Sequence, residues 1–114
     1  MKLLYDPPEI HDVVVELSKA EHELTEKYMN VLTLMKKFDY DELAQHIKEE
    51  LAKKNNDRSK RIKYIEDEQS YEYRIPPQRK QGVLRMLFVV DDDYYTVVIK
   101  KVWVKKNVPK NKAN

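Results

Sequence analysis

The sequence predicts an α+β fold in which N-terminal helices pack on one face of a small antiparallel β-sheet. Residues 9–54 carry apolar side chains at three- and four-residue steps, which is the spacing of amphipathic helices. Residues 70–106 contain three runs rich in aromatic and β-branched residues, separated by short linkers, which favours an antiparallel meander. We therefore expect a single domain over residues 1–106 and a polar tail over residues 107–114.

The helical half follows a short apolar run, Lys2–Tyr5, which we expect to form an edge strand. The apolar stripe that begins near residue 9 weakens at residues 18–20, so the pattern is compatible with one long helix or with two. Asp39 followed three residues later by Glu42 is a capping box, which predicts the start of another helix.

The strand-rich half consists of Tyr71–Ile75, Val83–Val90 and Tyr94–Val104. Prolines interrupt the first gap, and the triplet Asp91–Asp93 fills the second. We interpret that triplet as a hairpin tip, with a divalent-cation site as the alternative. The segment Arg58–Asp67 is compatible with either a basic loop or a short strand.

The composition excludes several classes of site. The chain has no cysteine, so disulfides and thiolate chemistry are absent, and its single glycine excludes a glycine-rich phosphate loop. His11, His22 and His46 lack metal-ligand spacing, and we interpret them as surface or partly packed residues. We expect no cofactor and no metal. No run approaches membrane-spanning length, so a cytoplasmic protein is expected.

Charge is distributed unevenly along the chain. Residues 1–57 hold 8 Lys and Arg against 13 Asp and Glu, whereas residues 58–114 hold 14 against 7. The basic half would attract a polyanion such as nucleic acid, or it would only keep the surface solvated.

Cations lie within the predicted strands themselves. Arg85 alternates with Leu84 and Met86 and therefore lies on the other side, among aliphatic residues. A guanidinium in such surroundings has either an ion-pair partner, such as Glu72 or a helix carboxylate, or a functional role. Alternation in the last strand predicts two sides, one with Lys101, Trp103 and Lys105 and the other with Val98, Lys100, Val102, Val104 and Lys106.

The stretch from Ser70 to Lys110 resembles the RelE/HigB/ParE superfamily of type II toxins, closest to its HigB-like and phage-derived branch. The resemblance rests on Tyr71–Ile75 (YEYRI), on Arg85–Phe88 (RMLF), and on Trp103–Lys106 (WVKK) followed by Pro109. The helices of residues 9–54 also occupy the place of the family's helical pair. The resemblance implies a RelE-like fold.

The resemblance also implies a ribosome-dependent mRNA endoribonuclease that a cognate antitoxin protein neutralises. In this family the 2′-OH attacks the adjacent phosphate, and basic side chains stabilise the transition state without a metal. By position, Arg85 matches the phosphate-binding arginine, Arg74 a basic residue of the preceding strand, and Lys106 the cation that closes the last strand. The predicted RNA-binding residues are Lys63, Arg79, Lys80, Lys101, Trp103 and Lys105.

Two departures from the family pattern keep other functions open. No tyrosine or histidine follows Lys106, and Glu72 occupies a place where some relatives have lysine. A ParE-like inhibitor of gyrase and a non-enzymatic module that binds RNA or protein are therefore the alternatives to the nuclease.

Overall fold

The computed structural model describes residues 1–75 and 83–105, which form a layer of helices over one face of a β-sheet. The helices are α1 (Ile10–Ala20), α2 (His22–Lys37) and α3 (Tyr40–Ala52). The strands are β1 (Lys2–Tyr5), β2 (Ile62–Ile65), β3 (Ser70–Ile75), β4 (Val83–Asp91) and β5 (Thr96–Lys105). The predicted α+β class is confirmed.

The helical stripe is divided between two helices, because Glu21 leaves the helical conformation at φ −135° and ψ 72° between α1 and α2. The predicted capping box is confirmed at the start of α3. The Asp39 side chain accepts a hydrogen bond from the Glu42 amide at 2.8 Å, and the Glu42 side chain accepts one from the Asp39 amide at 3.0 Å.

The five strands of the described chain lie in the order β1-β5-β4-β3-β2. The meander β3-β4-β5 is antiparallel as predicted, and Arg58–Asp67 contributes the short strand β2, which pairs antiparallel with β3. The prediction of an antiparallel sheet is wrong in one place: β1 pairs with β5 in parallel. The direction of β1 depends on where the helices return the chain, which the local pattern of Lys2–Tyr5 does not encode.

The core lies between the helices and one face of the sheet. Leu24, Tyr28 and Met35 of α2 are buried against Met86 and Phe88 of β4. We call the other side of the sheet the open face. Its buried aliphatic residues, Val83 and Leu87, are not part of the core cluster between helices and sheet. Within the described ranges, no helix has the length and apolar character needed to cross a bilayer.

A β-bulge at Lys100 corrects the predicted faces of the last strand. Phe88 pairs with Ile99 but Leu87 pairs with Lys101, so Lys100 has no direct partner. The extra residue shifts the alternation, and Val98 therefore lies on the open face rather than beside Val102. Strict alternation cannot anticipate this, because a bulge inserts one residue into the period of two.

We expect Asp39→Ala to lower the free energy of unfolding by about 1 kcal/mol, because it removes the acceptor that caps α3. Asp41→Ala in the same turn is the control and should cost less, since Asp41 lies in the first turn and acts there through its charge. Urea denaturation of both variants measures the difference. Equal losses would mean that the capping hydrogen bond contributes nothing specific.

Candidate nucleic-acid interface

Three predicted site residues lie side by side across the open face. Arg74 of β3 is directly opposite Arg85 of β4, and Arg85 is directly opposite Trp103 of β5. Neighbouring strands are about 4.8 Å apart, so this row of side chains spans roughly 10 Å. The meander thus brings together residues that are up to 29 positions apart in the chain.

The next row on the same face contains a carboxylate among cations. Lys63 of β2 is opposite Glu72, Glu72 is opposite Leu87, and Leu87 is opposite Lys101. Lys105 lies beyond the arginine row, opposite Val83. The described cations of the predicted site therefore share one face, and Glu72 lies among them.

Glu72 forms an ion pair with Arg85. The sequence had left this pair open as one of two explanations for Arg85. Its Oε1 atom is 3.4 Å from Nη1 of Arg85 and 4.0 Å from Nζ of Lys63. The Glu72 side chain is 8% exposed and that of Arg85 is 19% exposed. A carboxylate so poorly hydrated requires cationic partners, and Glu72 has two of them.

Arg85 nevertheless retains donor capacity. The 3.4 Å contact is longer than the 2.7–2.9 Å of a strong charge-assisted hydrogen bond. Its buried Nε has no hydrogen-bond partner among the described residues. A buried polar group without a partner costs about 1–3 kcal/mol. The contact with Glu72 thus leaves this donor unused among the described residues.

A pocket of about 460 Å³ opens beside these charges. Its sheet side includes Lys63, Glu72, Arg74 and Arg85. Its other wall comes from the end of α3 and the segment that leads to β2, namely Leu51, Asn55, Asp57, Lys60 and Arg61.

Hydrogen bonds at the end of α3 hold that wall in place. Glu50 is buried and accepts hydrogen bonds from Nζ of Lys53 at 2.6 Å and from the Arg61 amide. Burial alone would raise the pKa of Glu50, but these hydrogen bonds outweigh it and lower the pKa below the usual glutamate value. Lys60 Nζ donates to the carbonyl oxygens of Leu51 and Lys53, as a cation at a helix C-terminus does.

The two wall cations are therefore engaged in structure, whereas Arg74 and Lys63 of the sheet are more available than Arg85, which pairs with Glu72. Lys60 binds the end of α3, and Nη1 of Arg61 donates to the Arg58 carbonyl at 2.9 Å. Arg74 is exposed, and the ion pair of Lys63 among the described residues is its 4.0 Å contact with Glu72. Sequence reasoning did not assign Lys60 or Arg61 to the site, although the basic run RSKRIK contains both.

Trp103 is half-buried, and Lys101 already contacts its ring. Nζ of Lys101 lies 4.8 Å from the ring centroid, within the range of a cation–π interaction. Lys101 therefore shares the aromatic surface that a nucleobase would need. Arg79, Lys80 and Lys106 lie outside the described residues, and their assigned roles remain predictions.

Comparison with protein-family models, with curated proteins and with solved structures finds no match to this chain. In the described part of the chain, no group of three or more His, Cys, Asp or Glu residues is placed to hold a metal ion.

We expect Glu50→Gln to lower the free energy of unfolding by about 1–3 kcal/mol at neutral pH, because the charged acceptor of Lys53 and the Arg61 amide is lost. The folded-state pKa of Glu50 is lowered, so its stabilising effect is present above the unfolded pKa and disappears as pH falls through the folded value. The difference between variant and wild type should shrink in acid.

Urea denaturation at neutral pH and below the ordinary glutamate pKa of about 4.3 tests this. The control is Glu49→Gln, at an exposed position of the same helix, which should change little. A stability difference that stays constant across this pH range would contradict the assigned role of the Glu50 charge.

Proposed function

We propose that this chain is a RelE-like toxin that cleaves mRNA on the ribosome and binds the RNA on its open face. The observation that carries the proposal is the row Arg74–Arg85–Trp103, with Lys63 and Lys101 in the next row. This row contains the strand residues on which the resemblance to the toxin superfamily rests. The arrangement of a strand, three helices and a meander supports the general α+β class of the proposed fold.

The pairing of two arginines supports an anionic ligand. Like charges directly opposite each other across neighbouring strands are destabilising. Arg74 and Arg85 occupy such positions, and Glu72 contacts Arg85 from the adjacent row. A phosphate above the arginine row would be shared by both guanidinium groups and would reduce their repulsion.

The proposed reaction is transfer of the phosphodiester to the adjacent 2′-OH. The 2′ oxygen gives its proton to water and bonds to phosphorus, which forms a 2′,3′-cyclic phosphate, while the bond to the 5′ oxygen breaks and that oxygen takes up a proton from water. Negative charge accumulates on the phosphate oxygens in the transition state. Arg85 and Arg74 would stabilise this charge, and Lys106 is expected to add another cation.

A non-enzymatic RNA-binding module is the second candidate, and the contact between Arg85 and Glu72 favours it. A guanidinium already paired with a carboxylate is less available to a transition state than an unpaired one. Histidine is absent from the described lining of the pocket. This candidate predicts salt-dependent RNA affinity without cleavage.

We further propose that a cognate antitoxin protein covers the open face. The exposed cations Lys63, Arg74, Lys101 and Lys105 would attract an acidic segment. Such a segment can fold as it binds, and it would exclude RNA from the same surface.

Brief expression of the wild-type protein should arrest growth and produce new mRNA 5′ ends. Arg85→Ala should reduce cleavage by about a hundredfold or more, because it removes one hydrogen-bond donor to the transition state. Primer extension on a translated mRNA measures cleavage, beside thermal denaturation of each variant. Growth arrest with intact mRNA and accumulated DNA cleavage complexes would instead select the gyrase-inhibiting alternative.

Arg74→Ala is the companion variant because Arg74 is exposed, so its loss should weaken cleavage with little change in stability. Lys37→Ala is the matched control, since Lys37 is an exposed cation at the end of α2, in the helical layer. If wild-type protein leaves mRNA uncut on ribosomes but binds RNA in a salt-dependent manner, the non-enzymatic candidate is selected. Harmless expression without RNA binding excludes both.

A further inference from the structure

Glu72 lines the sheet side of the pocket and contacts two cations there, Arg85 and Lys63. A single oxygen, Oε1, faces both Nη1 of Arg85 and Nζ of Lys63. The carboxylate is thus located where two cations meet, which is also where an external anion would gain most. Its side chain is largely buried, so its charge stays close to both cations while no ligand is bound.

The two contacts are loose for a pair that serves only stability. Distances of 3.4 Å and 4.0 Å exceed those of strong charge-assisted hydrogen bonds. Nε of Arg85 is without a hydrogen-bond partner in the described ranges. Glu72 therefore neutralises the arginine without satisfying its planar donor edge, which a phosphate with several oxygens can satisfy.

We propose that Glu72 is an internal competitor for RNA phosphate: its carboxylate occupies the anion position between Arg85 and Lys63, and a phosphodiester binds by displacing it. This inference rests on the proposed function, because it assumes that RNA is the ligand of the open face. No covalent step is involved. One anion replaces another at the same two cations.

A competing carboxylate and a purely supporting ion pair differ in how removal of the Glu72 charge changes RNA affinity. If Glu72 only held Arg85 in position, removal of its charge would leave Arg85 misplaced and would weaken RNA binding. If Glu72 competes with phosphate, the same change strengthens binding. The sign of the effect therefore separates the two roles.

A competitor also favours ligands that make several contacts. A single phosphate gains little from exchanging with Glu72, since one ion pair is lost for each one formed. A longer strand also reaches Arg74 and Lys101 in the neighbouring positions. The open face should thus prefer an extended single strand to a mononucleotide.

The test is a binding titration with a short fluorescein-labelled 2′-O-methyl oligouridylate, which cannot undergo transesterification. Glu72→Gln should bind it about fivefold or more tightly than wild type at low salt, and the gain should shrink at high salt. Glu66→Gln removes an equal charge from an exposed position outside the pocket and should have no such effect. Uridine monophosphate should bind all variants weakly.

The gain should also depend on Arg85. In an Arg85→Ala background, Glu72→Gln should add much less affinity than it does in wild type. Glu72→Asp retains the charge but withdraws the oxygen from Arg85 by one methylene. Glu72→Asp should give a smaller gain in oligonucleotide affinity, of the same sign. It replaces Glu72→Gln in the test if that variant does not fold.

The competitor role is overturned if folded Glu72→Gln binds the oligonucleotide no more tightly than wild type. If Arg85→Ala still binds it more weakly than wild type, the RNA-binding function stands. Failure of wild type, Glu72→Gln and Glu72→Asp alike to bind the oligonucleotide would overturn the competitor role and RNA binding by the open face, whereas cleavage on the ribosome is decided by the primer-extension experiment. Binding that appears only after Glu72 is changed would support the competitor role most directly.

Discussion

Packing of three helices on one face of the sheet is the constraint on which the rest of the structure depends. Their apolar stripes bury Met86 and Phe88 against Leu24, and the strand period of two then places the intervening residues on the opposite face. Charged side chains in these strands can be accommodated only there. The concentration of Arg74 and Arg85 on the open face is thus a consequence of how the core is built.

In the proposed function, Glu72 balances the stability of the open face against ligand binding. Two opposed arginines beside buried aliphatics would repel each other, and the carboxylate offsets part of that repulsion in the absence of a ligand. The same contact occupies the cations that a phosphate would use. Removing one partner of a poorly hydrated pair usually costs stability, so gains in affinity at this position should come with some loss of stability.

The segment between α3 and β2 links helix packing to the pocket. Glu50, buried on α3, binds Lys53 and the Arg61 amide, while Lys60 binds carbonyl oxygens at the helix end. These hydrogen bonds position one wall of the pocket from the helical layer, and the sheet supplies the other. The shape of the pocket therefore depends on residues that need not contact a ligand.

Local patterns in the sequence determined the helical half, the capping box at Asp39, the meander and the side of its own strand on which Arg85 lies, because periodicity and capping depend on neighbouring residues alone. Only the tertiary structure decided that β1 pairs in parallel, that a bulge at Lys100 turns Val98 to the open face, and that Glu72 rather than a helix carboxylate contacts Arg85. These features depend on strand register and on which distant segments meet. Long-range packing determines both the strand register and the distant contacts, and neither can be inferred from the local periodicity of the sequence.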